Sequence, residues 1–120
     1  MTAVTLIDRY IAAWNETDED TRLDLIAGTW SETADYVDPL MAGKGHAGIN
    51  AMIQGAQAQL PGFRFRLISP VDSFGDQLRF SWEAGPDGAP APVAGSDFGR
   101  IGEDGRLTSV TGFIDRLPGA

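Results

Sequence analysis

Three oxygen-bearing side chains stand out for the chemistry they would do together. Asp38 precedes Pro39 at the end of a short alternating run, Ala34-Asp35-Tyr36-Val37-Asp38. Tyr10 lies in the apolar stripe of the first helical segment, and Asp97 is a lone acid inside a late apolar strand. One carboxylate can take a proton from a carbon next to a carbonyl. With a phenol and a second, protonated carboxyl to hold the enolate, no cofactor is needed. Each residue also has a plainer reading. Asp38 beside a proline fits an Asx-type turn or a capping acid. Asp97 sits among Val93, Ala94, Phe98 and Ile101. It either faces a pocket, where desolvation raises its pKa, or faces outward and pairs with Arg79 or Arg100. Tyr10 is equally a core residue whose hydroxyl finds a neighbour.

Elements must be in place to position these groups. Val4, Leu6, Ile7, Tyr10, Ile11 and Trp14 recur at helical spacing. Asp18 is an N-cap for a second helix, with Leu23, Leu25 and Ile26 as its apolar side and Gly28 as its stop. The run 34–38 reads as a strand ended by Pro39, and 41–45 as a loop. A third helix carries Ile49, Met52, Ile53, Ala56 and Leu60 on one face and stops before Pro61-Gly62. Beyond it the period becomes two. Phe63, Phe65 and Leu67 alternate with arginines, and Leu78, Phe80 and Trp82 alternate with Arg79, Ser81 and Glu83. Gly75-Asp76 and Glu103-Asp104-Gly105 are turns. Strands over 93–101 and 107–115 follow, and 117–120 is a frayed tail. Helices at the front and hairpin-linked strands at the back predict an α+β domain, three helices on a curved, mostly antiparallel sheet.

Composition narrows the function classes. A chain of 120 residues is one domain, 1–120, and buries roughly two thirds of its unfolded surface without a staple. It has no Cys, which removes disulfides, thiolate nucleophiles and Cys-based metal sites. The lone His46 cannot form a His-pair metal site. It reads as a cap or loop residue, with a second proton carrier as the sharper alternative, and Lys44 reads as a solvated loop charge. A net charge of −8 argues against nucleic acid and anionic membranes as partners. No segment approaches the ~20 apolar residues that span a bilayer, and the N-terminus lacks a signal-peptide pattern. A soluble, cytoplasmic, bacterial protein without cofactor or metal is the expectation.

Trp14, Tyr36, Met52, Phe65, Phe80, Trp82 and Phe113 form the aromatic and Met inventory from which a pocket lining would be drawn, for a flat, apolar, cyclic ligand. Asp115 depends on parity. If Val110, Gly112 and Ile114 face the cavity it points away; if Ser109, Thr111 and Phe113 do, it is a second candidate acid.

The chain resembles the NTF2-like (cystatin-like) cone, specifically its SnoaL-like and ketosteroid-isomerase branch. The stretch from Arg9 to Asp18 is similar to the first-helix signature, Ala34 to Pro39 to the first strand, Gly45 to Ile49 to the start of the third helix, Ala94 to Phe98 to the strand bearing an acid, and Val110 to Phe113 to the last strand. The resemblance implies a general base at Asp38 and enolate-holding roles for Tyr10 and Asp97, as in ketosteroid isomerase. The Tyr10–Asp38 stretch is several residues longer than in that enzyme, which would reshape the mouth. Scytalone-dehydratase-like sites need more than one His, and limonene-epoxide-hydrolase-like sites carry an Arg where Gly95 stands. Isomerase or polyketide-cyclase-like chemistry is therefore one reading. A binding module without turnover is the second, and a dimerisation scaffold presenting Arg64, Arg66, Arg79 and apolar neighbours the third. A homodimer is compatible with all three.

Overall fold

The structure is a computed structural model and describes residues 1–119, so of the tail Ala120 lies outside the described residues. Helix α1 (Ala3–Asn15) is capped by Thr2, whose hydroxyl accepts the Thr5 N–H at 3.1 Å. It buries Leu6, Ile7, Tyr10, Ala13 and Trp14. Helix α2 (Glu19–Thr29) starts at the expected cap, where Asp18 accepts the Thr21 N–H at 3.0 Å. It does not stop at Gly28. The Thr29 hydroxyl donates to the Leu25 carbonyl at 2.7 Å and closes a further turn. Its buried stripe is Arg22, Ile26 and Thr29, while Leu23 and Leu25 are only half-buried.

Arg22 is the structural keystone of the helical layer. Its side chain is 2% exposed. Nε donates to Asn50 Oδ1 at 2.8 Å, and Nη1 to the Glu16 carbonyl at 2.9 Å and to Gln57 Oε1 at 3.2 Å. One guanidinium thus ties the end of α1 and the start of α2 to helix α3 (Gly45–Gln59). Arg22→Met would keep the packed stem but leave the buried Asn50 oxygen and the half-buried Gln57 oxygen unpaired. We expect it to cost about 2 kcal/mol of stability, read as a lowered denaturant midpoint with an unchanged slope.

Strand β1 (Trp30–Val37) is longer than the sequence indicates, and 42–44 is not loop but strand β2 (Ala42–Lys44). The Asp38-Pro39 turn folds β2 back antiparallel on β1, pairing Tyr36 with Gly43. Strands β3 (Phe63–Leu67), β4 (Asp72–Phe74), β5 (Gln77–Pro86), β6 (Val93–Ile101) and β7 (Leu107–Arg116) complete one sheet. Its order is β2-β1-β7-β6-β5-β3, with β4 paired to the end of β5. All pairs are antiparallel except β1 with β7, which is parallel. The expected turns are present: Gly75 and Gly105 adopt φ of +55° and +84°, and Phe74 faces Gln77 across the first. The three helices cover the concave face of this curled sheet, and the core lies between. On β5 the buried side chains Leu78, Phe80, Trp82 and Ala84 keep the period of two expected for a strand with one covered face, and Gly85 is buried out of step near the strand's end.

Candidate functional site

Asp97 lies on the concave face of β6, because Phe80 and Gly112 are its register partners on β5 and β7 and both are buried. It is 2% exposed. The Tyr10 hydroxyl donates to its Oδ2 at 2.5 Å, and Trp82 Nε1 donates to its Oδ1 at 3.0 Å. The outward alternative is not taken: Arg79 pairs with Asp72 at 3.1 Å and Arg100 with Asp76 at 3.8 Å. Trp82 reaches Asp97 because Gly95 stands opposite it. A Cβ at Gly95 would lie 2.5 Å from the Trp82 ring and 2.6 Å from the Phe113 carbonyl. Burial pushes the Asp97 carboxyl up to about 6, against the two hydrogen bonds that stabilise its ionised form and with the negative charge of Asp38 adding to the rise. Desolvation likewise holds the Tyr10 phenol well above its ordinary range, assisted by the adjacent Asp97 charge.

Asp38 is both a turn residue and a wall of the same hollow. Its Oδ1 accepts the Leu40 and Met41 N–H groups at 2.7 and 2.9 Å, the plainer Asx-turn reading. Its Oδ2 accepts the Tyr36 hydroxyl at 2.5 Å. An ionised carboxylate offers about four lone-pair sites. Three are taken here, so the remaining one lies on Oδ2. Tyr36 is raised too, by burial first and by the charge of Asp97 next. Gly112 joins the two acids. A Cβ there would meet Asp97 Oδ1 at 2.9 Å, Asp38 Cβ at 3.1 Å and the Tyr36 hydroxyl at 3.1 Å. The absence of a side chain at this one position lets both Tyr–Asp pairs close on the same point of the sheet.

Between them is a narrow hollow of about 50 Å³, room for roughly three to five waters. Tyr10, Trp14, Tyr36, Asp38, Phe65, Trp82 and Asp97 border it, so these expected site residues are brought together. Ile11 and Ala56 come from the helices, Leu60 follows α3, and Val93 and Ile114 come from the sheet. The half-buried Met41 and the 58% exposed Leu40 also border it. Of these seven, Ile114 was named through the parity of the last strand, and the other six were not expected. Apolar residues at strand ends and in the Asp38 turn carry no signal that separates pocket from core.

Three expected lining residues lie elsewhere. Met52 is buried one turn before Ala56, and Ala56 is the α3 residue that borders the hollow. Phe80 packs edge-on under Tyr10, ring centroids 5.2 Å apart, so Tyr10 and not Phe80 meets the cavity. Phe113 is 53% exposed on the convex face, because the pairing of Asp97 with Gly112 turns its neighbour outward. The same parity sends Asp115 outward, where it accepts the Ser96 hydroxyl at 2.7 Å. His46 takes the plainer reading, its Nε2 2.7 Å from the Trp30 carbonyl. Among the described residues, no group of three or more His, Asp and Glu side chains is placed to hold a metal ion. No helix among them is long and apolar enough to cross a membrane.

The SnoaL-like domain matches residues 7–110. A solved structure named a "putative isomerase of the SnoaL-like family", from Agrobacterium tumefaciens, is 40% identical with a TM-score of 0.89, covering 93% of this chain and 96% of its own. A "putative polyketide cyclase" from Sinorhizobium meliloti superposes with a TM-score of 0.70 at 16% identity, covering 90% and 93%. A SnoaL-like protein of unknown function from Burkholderia thailandensis gives 0.72 at 17%, covering 95% and 98%. At those identities the last two show the fold alone. No curated protein matches the chain. Helices, curled sheet and family match agree: the chain belongs to the SnoaL-like family and has its NTF2-like α+β fold.

Proposed function

We propose that the chain is a cofactor-independent enzyme that moves a proton next to the carbonyl of a small, apolar, cyclic substrate, as an isomerase or a polyketide-cyclase-like aldol catalyst. The supporting observation is the convergence on Gly112 of two carboxyl groups with different surroundings, one buried with its pKa raised, the other half-buried with a lone pair left. Asp38 Oδ2 is the base. It takes a proton from the carbon next to the carbonyl, and the C–H electron pair becomes the enolate. In its protonated form Asp97 donates to the Tyr10 oxygen, which frees the Tyr10 hydrogen for the enolate oxygen. Asp38 then returns the proton to the carbon at the far end of the conjugated system, and the double bond has moved with no net change in atoms. Incubation with a β,γ-unsaturated cyclic ketone should give the conjugated product by ultraviolet absorbance. Binding by thermal shift without that product for any single-ring ketone sinks the enzyme reading.

That outcome would favour a binding module, and one observation already leans towards it. Asp38 carries three hydrogen bonds, the load of a residue that holds a turn and orients a ligand. The third role, a homodimer, rests on the convex face of the sheet. Phe98 and Phe113 stack edge-to-face there at 5.8 Å and are 44% and 53% exposed. Arg66 and Arg79, by contrast, are paired within the chain to Glu83 and Asp72. Apolar contact rather than the arginines would therefore drive association. Phe98→Glu with Phe113→Glu should halve the mass measured by light scattering; an unchanged dimer places the interface elsewhere.

A further inference from the structure

The two oxygens of Asp97 keep different company. Oδ2 accepts the Tyr10 hydroxyl at 2.5 Å, and Oδ1 accepts the Trp82 N–H at 3.0 Å. The chain has three tryptophans. The indole N–H groups of Trp14 and Trp30 are buried without a partner, and only that of Trp82 is aimed at a carboxyl. Its ring is tightly held. Gly95 faces it across the β5–β6 register, where a Cβ would lie 2.5 Å from the ring. Phe65 packs on it with centroids 5.6 Å apart, and the residue is buried. An indole N–H donates and cannot accept. A hydroxyl or side-chain amide in this place could take a proton from Oδ1 as well as give one; Trp82 can only give. Gly112, whose Cβ would stand 2.9 Å from Oδ1, brings no acceptor side chain either. On Oδ2, by contrast, a proton meets the Tyr10 oxygen, which can accept.

We infer that Trp82 is a positioning residue: its indole N–H keeps Oδ1 as the acceptor oxygen of Asp97 and so fixes the acid's proton on Oδ2, facing Tyr10. The proton balance is simple. Ionised Asp97 accepts from Tyr10. A proton arriving from solvent binds Oδ2, and the new Oδ2–H donates to the Tyr10 oxygen. Tyr10 keeps its own hydrogen, which no longer points at Asp97. Without the Trp82 N–H the proton has a second place, Oδ1. Tyr10 then goes on donating to Oδ2, and its hydrogen is not released. The other groups acting on this carboxyl are Tyr10 on α1, Tyr36 and Asp38 at the end of β1, and Asp115 on β7. Substitution at Trp82 alters none of them. The consequence for turnover rests on the proposed role of protonated Asp97, but the proton's place is a property of the unliganded chain.

Tyrosine labelled with ¹³C at Cζ reports whether its hydroxyl donates or accepts. The chain holds two tyrosines, and Tyr36→Phe identifies the Tyr10 signal. In the parent that signal should move through an inflection near pH 6 as Asp97 titrates, and the inflection should vanish in Asp97→Asn. Trp82→Phe keeps an aromatic ring on Phe65 and removes the N–H. It should raise the midpoint by about one pH unit, the worth of a hydrogen bond to an ionised group. It should also cut the Tyr10 amplitude to less than about half, because the proton now divides between two equivalent acceptors. Loss of packing alone would lower stability and leave both readouts unchanged. Should the variant not fold, the ¹⁵N-labelled parent serves. The Trp82 Nε1–H resonance, assigned through its contact with Phe65, should move upfield through the same inflection as Asp97 gains its proton. A Tyr10 signal flat in the parent, an unshifted midpoint or undiminished amplitude in Trp82→Phe, or a Trp82 N–H that ignores the titration would overturn the assignment. If Tyr10 and Trp82 respond as expected and no ketone is turned over, the enzyme reading fails and the assignment stands. Turnover with a silent Trp82 does the reverse.

Discussion

Asp38→Asn should lower any isomerisation rate by more than about 100-fold, the usual worth of a positioned proton-transfer group, while leaving the fold intact. The substitution is informative because the turn does not depend on charge. An amide oxygen still accepts the Leu40 and Met41 N–H groups that Asp38 Oδ1 accepts, and the amide nitrogen can donate to the Tyr36 oxygen. Only the proton-accepting oxygen is lost. Melting temperature and rate should therefore separate, the first within a few degrees of the parent and the second collapsed. An undiminished rate removes Asp38 from the mechanism. A parallel loss of melting temperature would mean that the turn, not the base, was disturbed.

Asp97 should leave its mark on stability as a function of pH. Its carboxyl is raised from the model-compound 3.8 to about 6 by burial. Below pH 3.8 both the folded and the unfolded chain carry the proton, and the group contributes no pH dependence. Between 3.8 and 6 the unfolded chain releases it while the folded chain keeps it, so stability falls as pH rises. Above 6 the full cost stands, about 3 kcal/mol at 1.36 kcal/mol per unit. Asp97→Asn cannot titrate. The stability of the variant relative to the parent should therefore improve by about 3 kcal/mol between pH 3.8 and pH 7, whatever constant offset the amide introduces. Urea midpoints across that range measure it, and a flat difference would show that the acid is not desolvated in solution. Activity carries a matching signature. If protonated Asp97 frees Tyr10 for the enolate, the parent's rate should fall as pH rises through about 6, and the Asn variant should lose that limb.

Much of the framework was legible because it is local. The Asp18 cap, the stripe of α1 and the period of two along β5 are each written within a dozen residues. Failures arose where a neighbour distant in sequence decides. Arg22 has no local sign of burial, since Leu23, Leu25 and Ile26 outweigh it; its burial becomes tolerable through Asn50 and Gln57 on another helix together with the Glu16 carbonyl. Ala42-Gly43-Lys44 carries no strand pattern and becomes one because the Asp38 turn lays it on β1. At the site, the residue types of Asp38, Tyr10 and Asp97 were readable, but not their engagements. The Tyr10–Asp97 bond spans 87 positions, and the dependence of Trp82 on Gly95 exists only in the β5–β6 register. Phe113 was ambiguous because parity in a strand is fixed by its partner, not by its own sequence.

The parallel pairing of β1 with β7 has a consequence for how the molecule is made. Tyr36 and Val37 sit beside Val110 and Thr111, so β1 waits until the five strands between them in sequence have been made. Gly112, the point on which both acids close, arrives with that final strand. A nascent chain made only as far as Ile101 would hold formed helices and a β5–β6 hairpin yet have no competent site. Closing contacts of such long sequence separation is slow. Ligand capture should therefore emerge in the same kinetic step as completion of the native state, and a refolding experiment followed by ligand fluorescence would lag behind helix formation seen by circular dichroism.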